Sequence, residues 1–256
     1  TWVKEGGTFI QNGGTYIQQV NYMAVGSNGV FNMRGGTNST PQIIMTGGGT
    51  ISVNQTGGII TNATLDMREP GIMAYNLSGG SYFGNAFIGT YANSRAAFNH
   101  TGGTLWCNTL WISCAGANVD STYTLNGGTL NVTLPNNAAP TVYPRGTLQG
   151  HGAVKMIGYY LDNSGRVIAD GFGSATNLDL STAGQIRNTT DNTTNRGWFA
   201  VNKGKVVLPS LAVSAGASTP NWGEAAADAT IDLVNSARLA FSGATAGSLA
   251  GSLLAV

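Results

Sequence analysis

Apolar residues along this chain come in short alternating bursts, and the bursts recur on a fixed clock. "YMAV", "QIIM", "TLDM", "AFIG" and "LWIS" follow one another through the first half. Each is answered by a second burst: "GVFNM", "TISVN", "IMAYN", "RAAFN" and "TYTLN". Period-two bursts bounded by Gly, Asn and Thr predict strands and turns. No window sustains a 3.6-residue period, so no helix of consequence is predicted.

Paired glycines mark the beats. Their first members are Gly13, Gly35, Gly57, Gly79, Gly102 and Gly127, at intervals of 22, 22, 22, 23 and 25 residues, and "LQGHG" at Gly150 and Gly152 continues the series more weakly. Met23, Met45 and Met67 are 22 apart, as are Asn32, Asn54 and Asn76, with Asn99 following after 23. Self-similarity at this period predicts a repeat architecture. Roughly 22 residues with three short strands make one coil of a right-handed parallel β-helix, each coil stacked ~4.8 Å above the last. In that register Met23, Met45 and Met67 form an inward ladder, since unbranched thioethers fill a narrow core. Asn32, Asn54, Asn76 and Asn99 stack at a turn, each amide bonding to its neighbours above and below. The Gly-Gly pair is then a corner whose backbone angles only glycine adopts cheaply. Gly6 and Gly47 to Gly49 fall between the beats. They predict either a second glycine-rich corner or an N-terminal coil in another register.

The clock weakens from about Thr147, and seven of the 11 acidic residues lie beyond it. Strand-like bursts persist at 167–169, 205–208 and 231–234. The chain therefore reads as regular coils over 1–149 and a less regular continuation or cap of the same solenoid over 150–256. A small β-sandwich cap is the competing reading of that second part.

Composition changes the picture of the surface. Only 9% of the residues are charged, against about 25% in an ordinary soluble domain. Between Glu5 and Asp66 there is no acidic residue, and Arg34 is the only cation. With 42% hydrophobic residues the chain lacks the signature of disorder, so its surface is built from neutral polar groups. A net charge of +1 gives no electrostatic reason to expect nucleic acid or an anionic membrane as partner. The uncharged stretch 239–256 is diluted by Gly, Ser, Thr and Ala, and no membrane span is predicted there. "TWVKEGG" lacks the layout of a signal peptide, so the chain reads as a processed or partial one.

Candidate chemistry is sparse. Asp66 and Glu69 flank Arg68 before Pro70 and read as a solvated turn rather than the carboxyl pair of a glycosidase. His151, Lys155, Asp162, Arg166 and Asp170 are the best cluster in sequence, yet they form a scatter rather than a convergent set. Arg145, Arg166 and Arg187 are spaced by 21, but an arginine ladder at strand spacing would repel itself, so they are expected out of register. Two His and two Cys show no metal-ligand spacing, and no metal or cofactor is expected. Cys107 and Cys114 in "LWCNTLWISC" either bridge one corner of a coil or lie as two buried thiols. Trp106 and Trp111, with Tyr82, Phe83 and Phe87 one repeat earlier, either pack in the core or form a carbohydrate-stacking platform. Eight Asn-x-Ser/Thr sequons (Asn38, Asn54, Asn62, Asn76, Asn99, Asn131, Asn188, Asn192) are present, on faces open in principle to glycans.

The units "HTGGTL" and "LNGGTLNV" resemble the Gly-Gly-Thr-Leu repeats of autotransporter-associated β-strand proteins. They are closest to the large secreted repeat proteins of planctomycetes and verrucomicrobia, some of which carry exosortase-type sorting signals. "NSGRVIADG", "GWFAVNKGKVVLP", "NWGE" and "IDLVNSARLAF" resemble the later part of the same proteins. The resemblance implies a secreted, extracellular or cell-surface β-solenoid. Taken with the sparse chemistry, the expectation is a non-enzymatic structural protein that builds surface material, with itself as head-to-tail partner. A carbohydrate-binding adhesin segment that contacts surface polysaccharide is the alternative, and a polysaccharide lyase or glycosidase the second alternative.

Overall fold

The computed structural model describes residues 1–19, 21–68, 70–91, 93–113, 120–133, 139–156, 160–170, 177–180 and 182, and thereafter the backbone of strands between Gln185 and Phe241. It is an all-β parallel solenoid of stacked turns about 22 residues apart, with no helix among the described residues. Each turn supplies a strand to each of three faces, and each strand pairs in parallel with its equivalent one turn on. The first face runs through Thr8–Gln11, Val30–Met33, Thr50–Gln55, Gly71–Leu77 and Ser94–His100 into the first half of Ser121–Val132. The second passes through Thr15–Ile17 and Thr37–Ser39, then through Thr104–Cys107 into the second half of Ser121–Val132. The third passes through Trp2–Val3, Met23–Val25, Gln42–Met45 and, later, Leu110–Ile112. Beyond residue 150 the pairings stay parallel and extend the same faces, with Arg166–Asp170 against Gly146–Met156 and Trp198–Lys203 against Arg166–Asp170.

The Gly-Gly pairs form the corner between the first and second faces. The second glycine of each pair has positive φ, at 79° for Gly36, 71° for Gly58, 75° for Gly80 and 77° for Gly103. Both glycines also sit directly on the corner of the preceding turn. A Cβ on Gly36 would lie 2.1 Å from the Gly14 carbonyl oxygen, and one on Gly57 would lie 2.4 Å from that of Arg34. Conformation and close approach together exclude a side chain at the second glycine, and close approach alone does so at the first.

Alternation assigns the residues before the corner. Met33, Gln55, Leu77 and His100 end their strands pointing inward, so the asparagines just before them point out. Asn54 Nδ2 donates to Asn32 Oδ1 at 2.9 Å, Asn76 Nδ2 to Asn54 Oδ1 at 2.8 Å, and Asn99 Nδ2 to Asn76 Oδ1 at 2.8 Å. The asparagine ladder thus lies on a strand face, one residue short of the corner, and not in the turn where the sequence pattern alone put it.

The methionine register needs a second correction. Met45 opposes Met67, but Met23 opposes Ile43, and the partner of Met45 in the turn below is Val25. All three methionines are buried, yet Met23 is displaced by two residues from the ladder the spacing predicted. The chain takes two residues fewer from Ser39 to Ile43 than from Ile17 to Met23, and two more from Met45 to Ser52 than from Val25 to Val30. The overall 22-residue period survives because one corner gives up what the next takes in. The added residues fall in Gly47 to Gly49, where Gly47 and Gly49 have φ of 102° and 86°. This second corner is glycine-rich for that reason.

Inside, large side chains form continuous columns. Tyr75, Phe98 and Tyr123 stack in successive turns at centroid distances of 4.7 and 4.9 Å with planes within 6° and 8°. Each fully buried side chain of this size contributes about 1.5–3 kcal/mol.

Gly36→Ala should lower stability by at least ~2 kcal/mol, from strain and the clash together. Gly13→Ala, in the first turn, where an added Cβ meets nothing within 4 Å, should stay within ~0.5 kcal/mol of the parent. Chemical denaturation followed by circular dichroism separates the two, and equal losses would contradict the packing described.

Candidate functional site

The inner side of the Gly-Gly corner carries the polar groups that an apolar core must satisfy. Gln11 Nε2 donates to the Thr37 carbonyl at 2.9 Å and Gln55 Nε2 to that of Ser81 at 2.9 Å, in each case reaching the following turn. The Tyr75 hydroxyl donates to Gln55 Oε1 at 2.6 Å. Two turns above Gln55 the equivalent inward position is His100, fully buried. Its Nε2 lies 3.2 Å from the Gly103 carbonyl and its Nδ1 2.7 Å from the Tyr123 hydroxyl. A carbonyl only accepts, so Nε2 carries the proton and Nδ1 accepts from Tyr123. Burial holds this imidazole below its usual value and raises the phenols of Tyr75, Tyr82 and Tyr123. Sequence reasoning passed over His100. The available signal was its alignment with Gln11 and Gln55 on the 22-residue clock.

The five titratable residues grouped by sequence are not brought together. Arg166 and Asp170 lie on the first face, His151 at the Gly-Gly corner, Lys155 on the second face and Asp162 on the third. Arg166 opposes Thr147, so it does not stack on Arg145. Both arginines instead approach the exposed Asp120, at 3.8 and 3.7 Å. No group of three or more His, Cys, Asp or Glu residues is placed to hold a metal ion among the described residues.

Asp66 departs from the sequence reading. It is buried rather than solvated, and its carboxylate accepts from Arg68 and, at 2.6 Å, from the Thr90 hydroxyl. The Arg68 guanidinium in turn sits 5.9 Å from the centroid of Tyr91. Glu69 lies outside the described residues. Cys107 is a buried free thiol whose pKa is pushed up to about 12 by burial. Cys114, its expected bridge partner, lies outside the described residues. Among the sequons, Asn54, Asn76 and Asn99 are ladder members, and Asn38 and Asn131 are buried. In the folded chain Asn38 and Asn131 are closed to glycan attachment. The Asn62 side chain, Asn188 and Asn192 lie outside the described residues.

The aromatic residues divide as alternation requires. Tyr82 and Leu105 point into the core, while Phe83 and Trp106 stand outside at 39% and 40% exposure. Phe83 and Trp106 stack across consecutive turns, with centroids 6.2 Å apart and planes within 8°. Around the next corner, on the third face, half-buried Phe87 and Trp111 lie 4.9 Å apart, and Tyr143 meets Trp111 edge-on at 6.2 Å. Asn108, between the two tryptophans, accepts from the Thr133 hydroxyl at 3.2 Å.

This geometry defines a parallel β-solenoid with a ribbon of surface aromatics. Compared with family models, curated proteins and solved structures, the chain matches none.

The buried neutral His100 makes stability depend on pH. Its folded pKa is depressed, so its contribution is full above 6.5, the usual value, and is lost as pH falls through the folded value. His100→Gln places the side chain of Gln11 and Gln55 at the equivalent position. That variant should fold and show a flatter loss of melting temperature on acidification below pH 6.5 than the parent. An unchanged acid slope would assign the dependence to other groups.

Proposed function

We propose that this chain is a non-enzymatic structural β-solenoid of extracellular or cell-surface material that extends by end-to-end addition of copies. The observation carrying this reading is that the recurring positions serve contact between turns. Glycines allow the approach, asparagines bond along the axis, and aromatic columns fill the interior. Such a chain is a one-dimensional stack in which each unit contacts only its neighbours.

The first turn supports the end-to-end part. Thr8–Gln11 and Thr15–Ile17 pair only with the turn that follows them among the described residues. Their apolar side chains Ile10 and Ile17 are 48% and 63% exposed. Strand edges presented along a solenoid axis template pairing with an equivalent edge. A head-to-tail contact is heterologous and gives filaments where its rotation does not close. A surface with few charges offers little repulsion between neighbours.

Electron microscopy and light scattering of the purified chain test the proposal. Filaments or concentration-dependent growth are expected, and a doubly charged edge, Ile10→Lys with Ile17→Lys, should shift the material to monomer. A monodisperse monomer of the parent at high concentration would defeat the assembly reading. Incubation with plant and microbial polysaccharides should release no product. Reducing ends that disappear on replacing His151 or Asp162 would overturn the non-enzymatic part.

A further inference from the structure

We infer that the aromatic ribbon around Trp106 and Trp111 is a binding strip for a neutral, extended, β-linked glycan lying along the solenoid axis. The fold itself does not need rings at these positions. The outer column that holds Phe83 and Trp106 continues with Asn131 and Lys155. The column that holds Phe87 and Trp111 contains Asp66 below and Thr141 above. The coil therefore accepts small, polar or charged side chains at equivalent sites, and four large rings concentrate in two consecutive turns. An exposed apolar cluster of this kind marks an interaction surface.

The chemistry around the rings selects the partner. No Asp, Glu, Lys or Arg occurs between Arg95 and Asp120, and the one charged neighbour in the columns below, Asp66, already holds Arg68 and Thr90. Amide and hydroxyl groups surround the rings instead, with the exposed Asn108–Thr133 pair set in the corner between the two tryptophans. Ring faces and edges offer apolar surface to the C–H groups of a pyranose, while neutral amides and hydroxyls match its hydroxyls. The residues around the rings offer a charged ligand no counter-ion, and the exposed Lys155 stands two strands further along the column of Phe83 and Trp106. An apolar peptide would leave the rim amides unpaired, which is costly on desolvation. The rings also repeat once per turn, about 4.8 Å along the axis, comparable to the advance per residue of an extended pyranose chain. Successive sugars can thus meet successive turns in one register.

The test is titration of the full chain with cellohexaose and chitohexaose, read by tryptophan fluorescence and calorimetry, with an oligogalacturonate of equal length as the anionic probe. Binding of at least one neutral hexasaccharide, with a change in emission, is expected. Trp106→Ala should weaken it about tenfold, the order of one aromatic contact, and Trp106→Phe should restore part of the loss. Phe83→Ser takes the place of Trp106→Ala if the latter lowers the melting temperature. Absence of binding to both neutral probes, tighter binding of the oligogalacturonate, or affinity unchanged in folded Trp106→Ala would each overturn the inference. Loss of self-association in that variant, without loss of sugar binding, would also overturn it by assigning the strip to contacts between copies. Loss of sugar binding with self-association unchanged would keep the two readings separate, because end-to-end growth uses the first-turn edge and not this ribbon.

Discussion

Consecutive turns of this protein must hold their backbones about 4.8 Å apart around the whole coil, and the Gly-Gly corner is where that spacing is hardest to keep. At a corner the chain turns sharply while sitting on the carbonyls of the turn below. Gly36 over Gly14, Gly80 over Gly58 and Gly103 over Gly80 all leave no room for a Cβ. Everything nearby follows from that contact. With the corner fixed, the residue before it points inward and the asparagine one earlier points outward. The amide ladder is then in register without further instruction.

A solenoid core must also satisfy polar groups that the corners turn inward. Gln11, Gln55 and His100 do so in turns one, three and five, and Met33 and Leu77 fill the intervening turns. Each glutamine spans two turns, so the network ties the stack together along its axis. His100 achieves a similar end as a neutral imidazole held between Tyr123 and Gly103. The period is maintained by compensation rather than by uniformity. Two residues leave the corner after Ser39 and two enter the corner after Met45, and glycine absorbs the insertion.

The outer columns are freer. A position that holds Asp66 in one turn holds Phe87 in the next and Trp111 in the one after. Scaffold and outer surface therefore separate by side-chain direction along the same strands. Inward residues fix the stack, and outward residues can specialise without disturbing it.

The sequence by itself determined the class of fold, the period and the glycine corner, because a spacing of about 22 residues is a property of the chain that survives any detail of packing. It also identified the asparagine ladder, whose members recur at one phase. Phase within a turn was less legible. Met23 keeps the 22-residue spacing yet falls two residues out of register, since two corners of altered length compensate, and spacing cannot report where within a turn residues are gained or lost. Burial was likewise decided in three dimensions. Asp66 reads as solvated beside Arg68 and Pro70, but the fold packs it under Thr90 from the next turn. The scatter of His151, Lys155, Asp162 and Arg166 looked like a cluster along the chain, and the three faces separate it. Trp106 and Trp111, five residues apart, became an exposed ring and a half-buried one on two faces because a corner lies between them. Sequence distance is blind to such a corner, and only the path of the backbone decides which side chains share a surface.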